Sequence, residues 1–225
     1  MPKPKLTTSI IEWIEENRSL IDSLKLDQVY KSGDYISRPF LTYSLLKIGI
    51  NPLKYVTEMP GNFARNLDIT DIEIPKHITE IANLAFAYCN RLTGISLHDG
   101  ITSIGHDSFN RCESLTNLII PDGVVFVGSG SFTFCSHLVN VDIGKGKLSI
   151  EDSAFSNCNS LTKVVMGGGV VSLGTGVFYN CQGLKEIIYR GTLKQWKNID
   201  KSGSWNIRSS LKKVICTDGE INLEQ

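Results

Sequence analysis

The sequence predicts a solenoid of α/β repeats, 23 residues each, sealed by a helical N-terminal cap domain and a C-terminal cap. Three observations carry this. Leu92, Leu115, Leu138, Leu161 and Leu184 stand 23 residues apart without a slip. Cys112, Cys135, Cys158 and Cys181 each follow one of the first four leucines by 20 residues, and Ile69 leads to Cys89 in the same way. Five pairs of a small residue and Phe keep the same phase: Ala85-Phe86, Ser108-Phe109, Ser131-Phe132, Ala154-Phe155 and Val177-Phe178. A repeat of this length cannot bury its apolar face alone, and stacking neighbours completes the core.

Within a repeat the elements follow in order. With Leu115 as position 0, Leu118 and Ile120 alternate with outward residues, the period of a half-buried strand. Their columns hold Ile72, Ile95, Leu118, Val141 and Val164, then Ile74, Leu97, Ile120, Ile143 and Met166. Pro121-Asp122-Gly123 is a tight turn by composition. Val127 shares a column with Ile81, Ile104, Ile150 and Leu173, and Ser131 to Cys135 reads as a short turn of helix or 3₁₀ structure. Burying each Phe contributes on the order of 1.5–3 kcal/mol, so the five form a spine that needs no ligand to explain it. One column breaks. Position 9 is Ile78, Ile101, Val124, Lys147 and Val170, so Lys147 either snorkels or yields its place to Leu148. The turn there, Gly144-Lys145-Gly146-Lys147, lacks the Pro-Asp-Gly signal and predicts a local irregularity.

Phrases such as Leu92-Thr-Gly-Ile-Ser-Leu97, Ile101-Thr-Ser-Ile-Gly105 and Ser108-Phe-Asn-Arg-Cys112 resemble the BspA-like, or Treponema-type, leucine-rich repeats across roughly residues 66–190. The tail from Tyr189 through Trp196 to Ile199, with Val214-Ile-Cys-Thr-Asp-Gly219, also looks like the end of many such proteins. The resemblance implies a leucine-rich-repeat solenoid without catalysis. It also implies an origin among bacterial surface, phage or mobile-element proteins that bind other proteins.

The ends divide the chain into residues 1–65, 66–189 and 190–225. In the first, Thr7-Thr8-Ser9 as N-cap and the face of Ile10, Ile11, Trp13, Ile14, Leu20 and Ile21 predict a helix over 7–24. A second is expected from about Pro39 to Lys47, ending near Gly49. Asn51-Pro52 then caps a short helix through Val56. This region either caps the solenoid or recognises a partner itself. After the five repeats, Leu184 to Tyr189 predicts a sixth strand and Leu211 to Cys216 a seventh that closes the sheet. Between them lie a helix at Leu193 to Asn198 and a loop from Lys201 to Ser210. Trp196 and Trp205 are expected to cover the last Phe of the spine.

Composition narrows the function. Net charge is zero, but residues 66–183 carry 6 Lys and Arg against 11 Asp and Glu. That balance opposes binding to a phosphate backbone, which depends on Lys and Arg. A nucleic-acid mimic would need denser acidity. No apolar run has the length of a signal peptide or membrane helix, so the expected location is cytoplasmic. Five of the six cysteines form one inward column, expected to be reduced and apolar in behaviour. Each rung offers one Cys, too few for a metal. His98-Asp99 and His106-Asp107 are each the composition of a base and its orienting acid, but no nucleophile or second carboxylate converges with them. No catalytic residue, cofactor or metal is expected.

What remains is the surface. Ile119, Val125 and Phe126 break the polar outward pattern in the third repeat, with Phe134 at position 19, Tyr88 in the same column and Tyr179 one position over. Exposed apolar patches mark interaction sites, and aromatics are frequent hot spots. These six are the candidate partner-binding residues. The expectation is a non-enzymatic protein–protein interaction module, of phage or mobile-element type, that inhibits a bacterial host protein. The alternative is an adhesin or virion-associated protein binding extracellular host molecules.

Overall fold

A computed structural model describes residues 42, 45, 46 and 49–223, with the side chain of Tyr55 excepted. The helix expected over 7–24 lies outside these residues. Thr42, Leu45 and Leu46 are helical. The helix ends where Gly49 takes a φ of +79°. There the Gly49 and Ile50 N–H groups donate back to Leu46 and Leu45, the double bond by which a left-handed glycine satisfies final carbonyls. Asn51 then accepts from Leu53 N–H and starts the 3₁₀ helix Pro52–Tyr55.

The repeats build a β-solenoid with two sheets: sheet A gains a strand from the first repeat on, while sheet B begins only at Asn117, because the expected strands at Ile72 to Ile74 and Ile95 to Leu97 do not form. Sheet A takes β1 (Glu80–Ile81), β2 (Ser103–Ile104), β4 (Phe126–Val127), β6 (Leu148–Ile150), β8 (Val170–Leu173) and β10 (Asp200–Lys201), all parallel. Sheet B takes β3 (Asn117–Ile120), β5 (Asn140–Ile143), β7 (Lys163–Met166), β9 (Glu186–Tyr189) and β11 (Lys213–Cys216), also parallel, with β12 (Gly219–Asn222) antiparallel at the edge. Leu211 to Cys216 therefore does not close the sheet. Its own hairpin partner does, turning through Thr217-Asp218, and Asp-Gly at such a turn is a hairpin signal. The segment expected as a loop after Ile199 begins with β10.

The fold class differs from the expected α/β repeat on the third side. Segments such as Leu84 to Cys89 are not helices. Alternate N–H groups, those of Ala85, Ala87 and Cys89, bond three residues back. Those of Leu84, Phe86 and Tyr88 leave the turn and donate to His106, Ser108 and Asn110 of the next rung, at 2.7–2.9 Å. Leu84 and Tyr88 hold φ near +60°, as do the residues in their columns. This left-handed backbone re-aims every second amide along the solenoid axis, so a helix cannot propagate.

Inside, the rings of Phe86, Phe109, Phe132, Phe155 and Phe178 stack at 5.1–5.8 Å. Phe63 meets Phe86 edge-on at one end, and Trp205 meets Phe178 edge-on at the other. Trp196 packs against Trp205 and Tyr189, so the two tryptophans cover the spine as expected. Phe63 extends it one ring earlier than the five counted. The helix Leu193–Asn198 carries a Thr192/Gln195 capping box. At the irregular corner Leu148 takes the core place, 2% exposed, and pairs with Val170. Lys147 is exposed, and the register shifts between Leu148 and Ser149. The glycines there are demanded by contact: a Cβ on Gly146 or Gly169 would collide with carbonyl oxygens of the preceding turn.

Candidate protein-binding surfaces

The polar groups that could have carried chemistry hold the rungs together instead. All six cysteines are free and buried. Cys89, Cys112, Cys135, Cys158 and Cys181 donate through Sγ to Ala64, Phe86, Phe109, Phe132 and Phe155 carbonyls at 3.0–3.3 Å. Burial pushes the Cys89 and Cys181 thiols up to about 12 and the three between them well above their ordinary value. A thiol that stays protonated is neither nucleophile nor metal ligand.

Neither His-Asp pair forms. His98 bonds to Pro75 O and accepts from Gly100 N–H, while Asp107 accepts from Asn110. His106 accepts from Ser129 N–H, one rung on, and is met edge-on by Phe126 at 5.6 Å. Among the described residues no three His, Cys, Asp or Glu side chains are grouped as metal ligands. No described helix is long and apolar enough to cross a membrane.

The six candidate residues fall on three faces. Ile119 points outward from sheet B, at the head of a register column that continues through Asp142, Val165, Ile188 and Ile215. It is 69% exposed. Arg190, two rungs beyond Asp142, binds that carboxylate through both terminal guanidinium nitrogens, at 3.1 and 3.2 Å, across the intervening strand. Val165, on that strand and outward-facing, is only 8% exposed. The column is thus open at Ile119 and roofed at Val165.

Val125, 54% exposed, leads into sheet A, and Phe126 beside it is half-buried against His106. Ile119 and Val125 flank the same turn, from Ile120 to Val124, where one sheet passes into the other. Tyr88 and Phe134 lie on the third face, 37% and 38% exposed, with Tyr179 half-buried at its far end. Each of these three rings lies under a guanidinium: Arg65 over Tyr88, Arg111 over Phe134 and Arg208 over Tyr179, at 5.5, 4.4 and 5.7 Å.

These arginines escape a search for apolar breaks in the sequence. Arg111 was legible, since it shares position 19 with Tyr88 and Phe134. Arg65 was legible too, standing 23 residues before Tyr88, although its backbone is one residue out of phase: Asn66 bonds to the next rung as Tyr88 does, yet precedes it by one position less than a full period.

A pattern described as the BspA type leucine rich repeat region matches residues 57–199 in six copies. The chain belongs to the BspA-type leucine-rich repeat family. The match starts ahead of residue 66, in keeping with Phe63 at the head of the spine. Proteins of this family mediate protein–protein interaction or adhesion, and no enzyme family is indicated. A leucine-rich repeat protein of T. pallidum is similar in fold, with a TM-score of 0.51 and 23% identity over 65% of this chain and 73% of that one. The pneumococcal vaccine antigen PcpA has a TM-score of 0.54 and 15% identity over 72% of this chain and 44% of its own. At these identities the likeness concerns the fold alone. No curated protein matches the sequence.

Proposed function

We propose that the solenoid is a non-enzymatic protein-binding module whose contact centres on the corner between the two sheets in the third repeat. The observation that carries this is the exposure of Ile119 and Val125 on either side of one turn, where the preceding rung places Ser96 and Thr102 and the next places Asp142 beside Ile119 and the buried Leu148 beside Val125. Backbone ladders hold both residues, so a partner would meet a preformed surface and little ordering entropy opposes binding. In its finer form the module occludes a bacterial host protein, as a phage or mobile-element inhibitor would, and the N-terminal region caps the solenoid or adds a contact. Adhesion, the other activity of the family, gives a second version in which the partner is an extracellular host molecule.

The test is capture of a stoichiometric partner from bacterial lysate or from extracellular matrix proteins, followed by titration of the purified pair. Ile119→Asp with Val125→Asp should weaken binding by more than about tenfold, the scale of a hot spot, without moving the melting temperature. Unchanged affinity would remove this corner from the contact.

A further inference from the structure

The third face divides into two halves on one backbone. At position 19 every rung holds a left-handed residue: Tyr88, Arg111, Phe134, Asn157 and Asn180, with φ between +57° and +63°. Asn is at home in this conformation, while bulky residues adopt it only with strain. In the last two rungs the amides also satisfy one another, Asn180 donating to Asn157 at 3.0 Å and Gln182 to Asn180 at 2.9 Å. In the first three, strained residues carry large side chains with no such amide ladder. Strain kept at one stretch of a surface, where the same fold shows the relaxed choice on the next rung, points to a use for those side chains.

The geometry points to this ridge as the docking site for an extended acidic protein segment. We infer that Arg65 and Arg111 bind its carboxylates while Tyr88 and Phe134 pack against the chain between them. The inference rests on the protein-binding reading above and names a second surface for it. Each guanidinium sits over a ring, which restricts it and leaves N–H groups for a carboxylate, the geometry in which arginine binds bidentately. Arg65 donates one bond to Asn62 at 3.3 Å, and Arg111 has Glu113 at a loose 3.9 Å, a pair exposed enough for a partner's carboxylate to displace. The two guanidinia belong to turns two rungs apart. Rungs are spaced at about 4.8 Å, so the gap is roughly 10 Å, close to the roughly 9 Å that three residues of an extended polyproline II chain span in one turn, with side chains at i and i+3 on the same face. The ligand pattern is therefore acidic residues at i and i+3.

The test is fluorescence anisotropy on the full chain at low salt. The probe is a labelled peptide of about twelve residues with Glu at every third position and Gly or Ser between, with a Lys-for-Glu peptide as control. The acidic peptide should bind at least tenfold tighter than the control. Arg65→Gln with Arg111→Gln should abolish the difference. So should Tyr88→Asn with Phe134→Asn, substitutions the left-handed backbone welcomes, with the melting temperature within a few degrees of the wild type. Equal binding of the two peptides, or acidic binding that survives both double variants, overturns the proposal. So does a labelled oligonucleotide that binds better and is lost in the same variants, which would make the ridge a phosphate site. A captured partner that responds to the Ile119 and Val125 variants but not to the ridge variants overturns the ridge and leaves the module standing. Acidic binding lost at the ridge, with no partner captured at the sheet corner, upholds the ridge against the corner.

Discussion

The rungs around Phe109 and those around Phe155 share a ring spine, a thiol ladder and two sheets, yet their third faces differ. In the first group the left-handed position carries Tyr88, Arg111 and Phe134, and in the second Asn157 and Asn180. The interior is repeated faithfully because every turn must bury the same volume against its neighbours. The turn face is free of that constraint, so departures there report something other than packing.

The largest test asks whether the shared interior is energetically shared. Phe109→Ala and Phe155→Ala should each cost about 3–5 kcal/mol in chemical denaturation, the range for a fully buried ring. A much smaller loss at Phe109 would mean that the first rungs are looser, and the comparison would become one of stability. Alkaline titration probes the same interior. The five ladder thiols have folded pKa values raised by burial above the unfolded one, so their contribution is intact below pH 9 and falls as pH rises above it, for Cys89 and Cys181 up to about 12. The loss approaches about 1.4 kcal/mol per pH unit for each thiol. Unfolding monitored by circular dichroism should steepen above pH 9, and Cys135→Ala should flatten it.

Exchanging the faces is the next step down. Asn157→Phe should destabilise by roughly 1 kcal/mol, the left-handed penalty for a bulky residue, whereas Phe134→Asn should come out near neutral as relief of strain offsets the lost ring packing. Equal costs in both directions would show that the turn does not care which residue it holds. Smallest is the effect of Ser108→Ala and Ser131→Ala. Both hydroxyls are buried in the first group without a hydrogen-bond partner, in a column where Ala85 and Ala154 stand elsewhere. Losing them should be neutral or stabilising by up to about 1 kcal/mol.

The interior was legible from the chain because periodicity encodes burial directly. Leu118, Ile120, Val127 and Phe132 are all buried where their columns place them. The Lys147 column left two alternatives, and the backbone resolved them by inserting Leu148. The reading of Ser131 to Cys135 as a turn of helix or 3₁₀ structure holds only for alternate amides, which bond three residues back; apolar spacing does not reveal the sign of φ, and that sign sends the others to the next rung. The hairpin turning through Thr217-Asp218 was missed, because the expected seventh strand already supplied an ending. Of the candidate surface, Ile119 and Val125 emerged as the exposed breaks they looked like. Phe126 is engaged by His106, and the cover given to Tyr88 by Arg65 depends on a turn one residue short of the period.

That odd-length turn has a counterpart in the corner before Leu148, where Leu148 pairs with Val170 but its neighbour Ser149 pairs with Ser172, skipping Val171. The solenoid absorbs a one-residue discrepancy there, and the rungs on both sides stay in phase. Such a corner works as an expansion joint. The joint has little room of its own: Gly144 and Gly146 lie against Asp122 of the turn before, and Gly169 of the turn after lies against Gly146, so the slack is taken up by register alone and side chains added at those glycines should prise the turns apart.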